Sequence, residues 1–214
     1  MKFTLTFDGE LPGTGNSSRK PEKKREIRDH FSPQLAHLWK IHPALLKARR
    51  HRYLPKQGGF LAVDSHHSEE LASDIQAKHG NSLDLCAQLD VGGQQFLPLV
   101  RASYGTVCAL SILFLRQEAA GKVYQGGDLD NRIKTLLDAL AMPQDSGATV
   151  VAQADEKVPI FCLLEDDALV TGLAVETRRL LTRPDRPENE ARLIIEVDVR
   201  VPDARIYNTL FLGD

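Results

Sequence analysis

Residues 3 to 7 place Phe3, Leu5 and Phe7 on one side of the chain and Thr4 and Thr6 on the other. That period of two predicts a strand with one buried face. A loop follows from Gly9 through Ser18, where Gly, Pro, Asn and Ser accumulate. Ser32-Pro33 reads as a helix start, with Ser as the cap, Pro in the first turn, and Leu35, Leu38 and Trp39 along one side. Pro43 interrupts this helix and begins a second one, ALLKARRHRYL. Residues 55 to 67 read as a loop around the apolar stretch FLAV, and Ser68 to Lys78 as a helix closed by Gly80.

Val107 to Leu115, VCALSILFL, is apolar enough to predict a central strand buried on both faces. Leu129, Ile133, Leu136, Leu137 and Leu140 then recur at offsets 0, 4, 7, 8 and 11, the apolar stripe of an amphipathic helix. Residues 143 to 159 carry two prolines, a glycine and small polar residues, and read as a surface insertion. Val158 to Leu164 leads into Glu165-Asp166-Asp167, and Leu169 to Arg179 resumes a partly alternating strand. The alternation from Leu193 to Val201 predicts a C-terminal strand. These elements together predict an α+β fold, a single domain in which a mixed β-sheet packs with helices.

The length of 214 residues suits one domain, and 42% apolar with 26% charged residues excludes global disorder. No stretch approaches the roughly 20 consecutive apolar residues of a membrane helix. The start of the chain reads as a strand without the apolar core of a signal peptide, so a cytoplasmic protein is expected. Cys86, Cys108 and Cys162 are odd in number, lack C-x-x-C spacing and lie in apolar settings; buried free thiols are expected.

The net charge of -2 supplies no global positive field for nucleic acid, so any such contact must come from local basic surface. Two local clusters stand out. RKPEKKREIR, residues 19 to 28, contributes Arg19, Lys20, Lys23 and Lys24, and the second predicted helix contributes Arg49, Arg50 and Arg52 beside Tyr53. Each cluster fits either a solvated face or an arm that contacts phosphates. His66-His67 is a weak metal signal because adjacent side chains diverge, and no role is assigned to it.

The segment GGDLDNRIKTLLDAL, residues 126 to 140, carries the chemistry. Asp128 and Asp130 stand at the start of the amphipathic helix, where exposed N–H groups favour negative charge by about 0.3 to 1 kcal/mol. One such Asp is an ordinary cap, but two at i and i+2 followed by Asn131 exceed that need. With Asp128 still extended, both carboxylates can project to one side. Asp130, Lys134 and Asp138 follow at i, i+4 and i+8 in a polar stripe, read either as surface ion pairs or as a metal-binding acid with a phosphate-reaching lysine beyond it. Glu165-Asp166-Asp167 is a second acid cluster between two apolar runs, read either as a turn or as carboxylates that a cation reconciles. Magnesium, a hard ion that takes one or two carboxylates and shares its shell with substrate phosphate, suits Asp128, Asp130 and Asp167.

DLDNRIKTLLDAL followed by LEDDALV resembles the RusA family of Holliday junction resolvases, in which D-x-D-N opens a lysine-bearing helix and an acidic pair precedes the next strand. The resemblance covers residues 126 to 140 and 163 to 170, with compatible strands at 3 to 7, 107 to 115 and 191 to 201. It implies a magnesium-dependent endonuclease, with manganese as a possible substitute, that acts as a homodimer and cuts across four-way DNA junctions. Asp128, Asp130 and Asp167 would be the catalytic metal ligands, Lys134 the catalytic or phosphate-contacting lysine, and Asp166 and Asn131 assisting residues, with Asp138 structural. Relative to the family, the chain is longer at about 19–106 and 141–160, two insertions within one domain. Two alternatives share the fold: a nucleic-acid-binding relative without turnover, and a metal-dependent nuclease with another nucleic-acid substrate.

Overall fold

The alternation at the start of the chain becomes β1 (Lys2–Glu10), with Leu5 and Phe7 buried and Thr4, Thr6 and Asp8 facing outward. The structure is a computed structural model that describes residues 1–11, 20–50, 84–116, 128–144, 158–181, 190–205 and 207–212. After β1 come α1 (Lys20–Ile41), α2 (Pro43–Arg50), β2 (Leu89–Val91), β3 (Gln94–Val100) and β4 (Val107–Arg116). Then follow α3 (Asp128–Leu140), β5 (Ile160–Leu164), a 3-10 turn (Asp167–Leu169), β6 (Val170–Arg179), β7 (Glu190–Arg200) and a second 3-10 turn (Thr209–Phe211). The predicted helix at 68–78, the His66-His67 loop and most of the 143–159 stretch lie outside the described residues.

The fold is α+β, as expected, but its strands form two mixed sheets rather than one. The larger has the order β1-β7-β4-β6, antiparallel except for the parallel β4–β6 pair. The smaller has the order β2-β3-β5, with β3 and β5 parallel. Gly92 and Gly93, at φ 62° and 86°, make the two-residue turn that folds β2 back on β3, a conformation side-chain-bearing residues rarely adopt. Pro98 is tolerated within β3 because β2 pairs only with Gln94 to Phe96, leaving the strand beyond open on that side among the described residues.

Two expectations about individual elements are corrected. Ser32-Pro33 does not begin a helix: α1 starts twelve residues earlier and runs through it. Ile27, Phe31, Leu35 and Leu38 form one buried stripe across Pro33, and that burial outweighs the lost helical bond. Ser32 Oγ, free of capping duty, accepts a hydrogen bond from the Phe161 N–H of β5. Nor is β4 buried on both faces. Cys108, Leu110, Ile112 and Phe114 enter the core, whereas Val107, Ala109, Leu113 and Leu115 are half-buried and Ser111 is exposed on the far side. β4 is central in its sheet, but that sheet carries its helices on one face among the described residues.

Helix α1 organises the core. It packs on β5, α3, α2 and β1, and its Gln34 amide both accepts from the Thr6 N–H and donates to the Thr6 carbonyl, completing the outer edge of β1. Thus α1 and β3, both from the 19–106 stretch, are integral to the core. A second anchor, Arg101, is buried at the end of β3, where it donates to the carbonyls of Pro98, Asp84 and Ala87. No described helix is long and apolar enough to cross a membrane.

Cys108 and Cys162 are free and buried, as expected, whereas Cys86 is half-buried. Burial pushes the Cys108 and Cys162 thiols up to about 12. Neither carries appreciable thiolate near pH 8, so a thiol reagent at about that pH is expected to modify Cys86 alone in the native protein. Mass spectrometry of the labelled protein checks this, and rapid modification of Cys162 would contradict the packing of β5.

Candidate functional site

The buried side of α3, Ile133, Leu136 and Leu140, faces the core, which leaves Asp130 and Lys134 exposed on the opposite side. Lys134 pairs with neither Asp130 nor Asp138, although both lie one turn away. Among the described residues, the charged groups of Asp130 and Lys134 have no hydrogen-bond or ion-pair partner. Asp138 is tied instead to Lys24 of α1 by an ion pair of 2.7 Å. The polar stripe is therefore no ladder of ion pairs within one helix. At its start, α3 begins at Asp128 itself, so the extended backbone expected there is not found, and the Asp128 side chain lies outside the described residues.

The acid cluster is resolved in a different way from that expected. It occupies the carboxyl end of the parallel β3–β5 pair, where the chain leaves the smaller sheet for the larger. The Glu165 N–H continues the ladder to the Val100 carbonyl at 2.9 Å, and Glu165 Oε2 accepts from the Ala102 N–H at 2.9 Å. Asp166 caps the 3-10 turn, its Oδ1 accepting from the Ala168 N–H at 2.8 Å. Two of the three acids thus have structural explanations without a cation. Asp167 is exposed, and among the described residues its carboxylate has no hydrogen-bond or ion-pair partner.

Helix α3 packs against this turn, so the two candidate segments are neighbours in the fold. A cleft of about 340 Å³ lies where they meet α1, lined by Lys24, Arg28, Asp138, Gln144, Asp166 and Asp167 among others. Asp130 does not line it, and neither does Lys134. Eight residues of helical rise, about 12 Å, separate Asp130 from Asp138 along the axis. Among the described residues, no three His, Cys, Asp or Glu side chains stand close enough together to hold a metal. Asp130 and Asp167 supply the hard oxygen donors that magnesium prefers, and magnesium needs only one or two protein carboxylates. The donors fit in kind, with phosphate oxygens and solvent completing such a shell.

Arg28 went unnoticed inside the charged run RKPEKKREIR. It is only 7% exposed and serves the far end of α3: Nε donates to the Ala141 carbonyl at 3.2 Å, and Nη2 to the carbonyls of Asp138 and Ala141, both at 3.1 Å. A cation over the last carbonyls of a helix satisfies orphan acceptors and complements the helix dipole. Desolvation on burial draws its pKa below the ordinary arginine value. The signal for it was its place in the Ile27–Phe31–Leu35 stripe, on the buried side of an otherwise charged segment.

The basic residues expected to contact DNA are placed unevenly. Lys23 is engaged by Glu26 at 2.8 Å and Glu10 at 3.5 Å, which raises its pKa, the Glu26 hydrogen bond being the largest cause. Lys24 is held by Asp138, whereas Arg49 is exposed on α2. Lys20 and Arg50 begin α1 and end α2, with side chains outside the described residues, and Arg19 and Arg52 lie outside them altogether. No family model, curated protein or solved structure matches the chain.

The Arg28 contacts carry an energetic consequence. Arg28→Met keeps the packing volume but orphans the carbonyls of Asp138 and Ala141, and a loss of about 1–3 kcal/mol is expected in chemical denaturation. Unchanged stability would mean that the guanidinium does not hold the end of α3.

Proposed function

We propose that the protein is a magnesium-dependent endonuclease that acts on branched DNA, with Asp128, Asp130 and Asp167 as metal-binding carboxylates and Lys134 as a phosphate-contacting cation. The observation that supports this most directly is the split among charged groups around α3. Glu165, Asp166 and Asp138 are occupied by backbone or by Lys24, whereas Asp130, Lys134 and Asp167 are exposed and unpartnered among the described residues. Other exposed charges such as Lys2, Lys47 and Arg49 are also unpartnered among the described residues. Asp130, Lys134 and Asp167, however, lie on adjoining elements, α3 and the 3-10 turn it packs against, where a ligand could meet them together.

Each residue has a distinct task in this reading. Asp130, on the first turn of α3, and Asp167, on the neighbouring 3-10 turn, present hard oxygens from two backbone segments fixed by the core. Bound magnesium would polarise the phosphodiester and lower the pKa of a coordinated water. Lys134, one turn beyond Asp130, presents a flexible cation on the same exposed side of the helix, suited to charge that builds on phosphate oxygens. The D-x-D-N helix and the acidic pair are also the residues that carry the resemblance to RusA resolvases, from which the four-way junction and the homodimer are taken. Paired cuts across a junction need two active sites, which one chain with one such helix does not supply.

A synthetic four-way junction with magnesium tests the reading. Wild-type protein is expected to cut near the crossover, and Asp130→Asn and Asp167→Asn to lower the single-turnover rate about 10²-fold or more, as the loss of several kcal/mol of transition-state stabilisation requires. Lys134→Ala is expected to slow cutting more than it weakens binding. Equal rates for wild type and Asp130→Asn would remove that carboxylate from the chemistry, and cutting of linear duplex as fast as the junction would remove the substrate preference.

A further inference from the structure

The cleft between α1 and the end of α3 has two walls of opposite sign. From α1 come Lys24 and Arg28, and from the β5–β6 connection come Asp166 and Asp167, with Asp138 between them. We infer that this cleft is a subsite for a backbone phosphate of the nucleic acid next to the bond that is cut, with Arg28 as its fixed cation and Lys24 as its exchangeable one. The inference rests on the proposed function and adds to it a binding site that Asp167 borders but Asp130 and Lys134 do not.

Arg28 is the fixed part of this cleft. Its Nε and Nη2 are spent on carbonyl dipoles, Nη1 makes no hydrogen bond, and no carboxylate forms an ion pair with it among the described residues. Asp29 and Asp138 act on this guanidinium only through space, and its desolvation on burial outweighs them, a cost that an anion in the cleft would relieve. Phosphate suits a fixed guanidinium because its oxygens accept charge-assisted hydrogen bonds at defined angles.

Lys24 supplies the second contact. Its side chain is about one-third exposed, and its ammonium is bonded to Asp138 at 2.7 Å in the same cleft. A half-buried pair that still reaches solvent is worth about 1 kcal/mol, so a phosphate can compete for the lysine. The acid wall sets the selectivity. Asp166 and Asp167 repel a bare anion, so the cleft favours a phosphate that arrives with a divalent cation, as the phosphates beside a magnesium-bound scissile group would.

Two variants that break the same ion pair separate this role from a structural one. Lys24→Gln removes the cation, whereas Asp138→Asn frees it. Junction binding is measured by fluorescence anisotropy in calcium, which takes oxygen ligands like magnesium. Lys24→Gln is expected to weaken binding about tenfold and to lower the log–log salt slope by about 0.9, the value of one lost phosphate contact. Asp138→Asn is expected to bind as tightly as wild type or more so, and Lys24→Arg to restore most of the loss. Equal weakening by Lys24→Gln and Asp138→Asn would overturn the subsite, since the pair would then matter only to the fold. That result would leave the nuclease reading intact, which is judged by the cutting rates of wild type and Asp130→Asn. A wild-type protein that binds no junction DNA would overturn both.

Discussion

The arrangement of both candidate segments depends on the buried guanidinium of Arg28. It reaches from α1 to the last carbonyls of α3 and fixes where that helix ends. From there the chain is held residue by residue: Ala141 bridges to Leu164, and the Met142 N–H donates to the Leu164 carbonyl at 2.9 Å. Leu164 is the last residue of β5, and Glu165 beyond it is tied to the end of β3. Arg28 and this backbone ladder together connect the helix that carries Asp130 to the turn that carries Asp167.

Around this connection the charges divide by what they cost. Two buried charged groups are satisfied by the backbone, Arg101 by three carbonyls and Asp84 by the Cys86 N–H at 2.9 Å. Across the open face of the larger sheet, Arg192 pairs with Asp8, Arg200 with Asp198, and Arg178 with Glu176, as befits a face exposed to solvent. These neighbours on the sheet contribute little stability each. On α3 and the 3-10 turn, by contrast, Asp130, Lys134 and Asp167 are exposed without a partner among the described residues.

Strands with one buried face were legible from local pattern, because alternation survives any choice of partner strand. β1 and β7 follow this rule, and α3 follows its helical counterpart. At Ser32-Pro33 a local capping signal conceals the apolar stripe of α1, which extends from Ile27 to Leu38. β3 went unread since its burial comes from a parallel partner more than sixty residues away, and Pro98 argues locally against a strand.

The residue types of the candidate site were set by the sequence alone: two acids opening a helix, a lysine one turn on, and three acids ahead of a strand. Which of them are available was decided only by tertiary structure. Asp138 is taken up by Lys24, Glu165 by the Ala102 N–H and Asp166 by its own turn, and each of these partners except the last comes from a remote part of the chain. A side chain's charge is written in the sequence, but whether that charge is already neutralised depends on which distant groups burial brings within hydrogen-bonding reach.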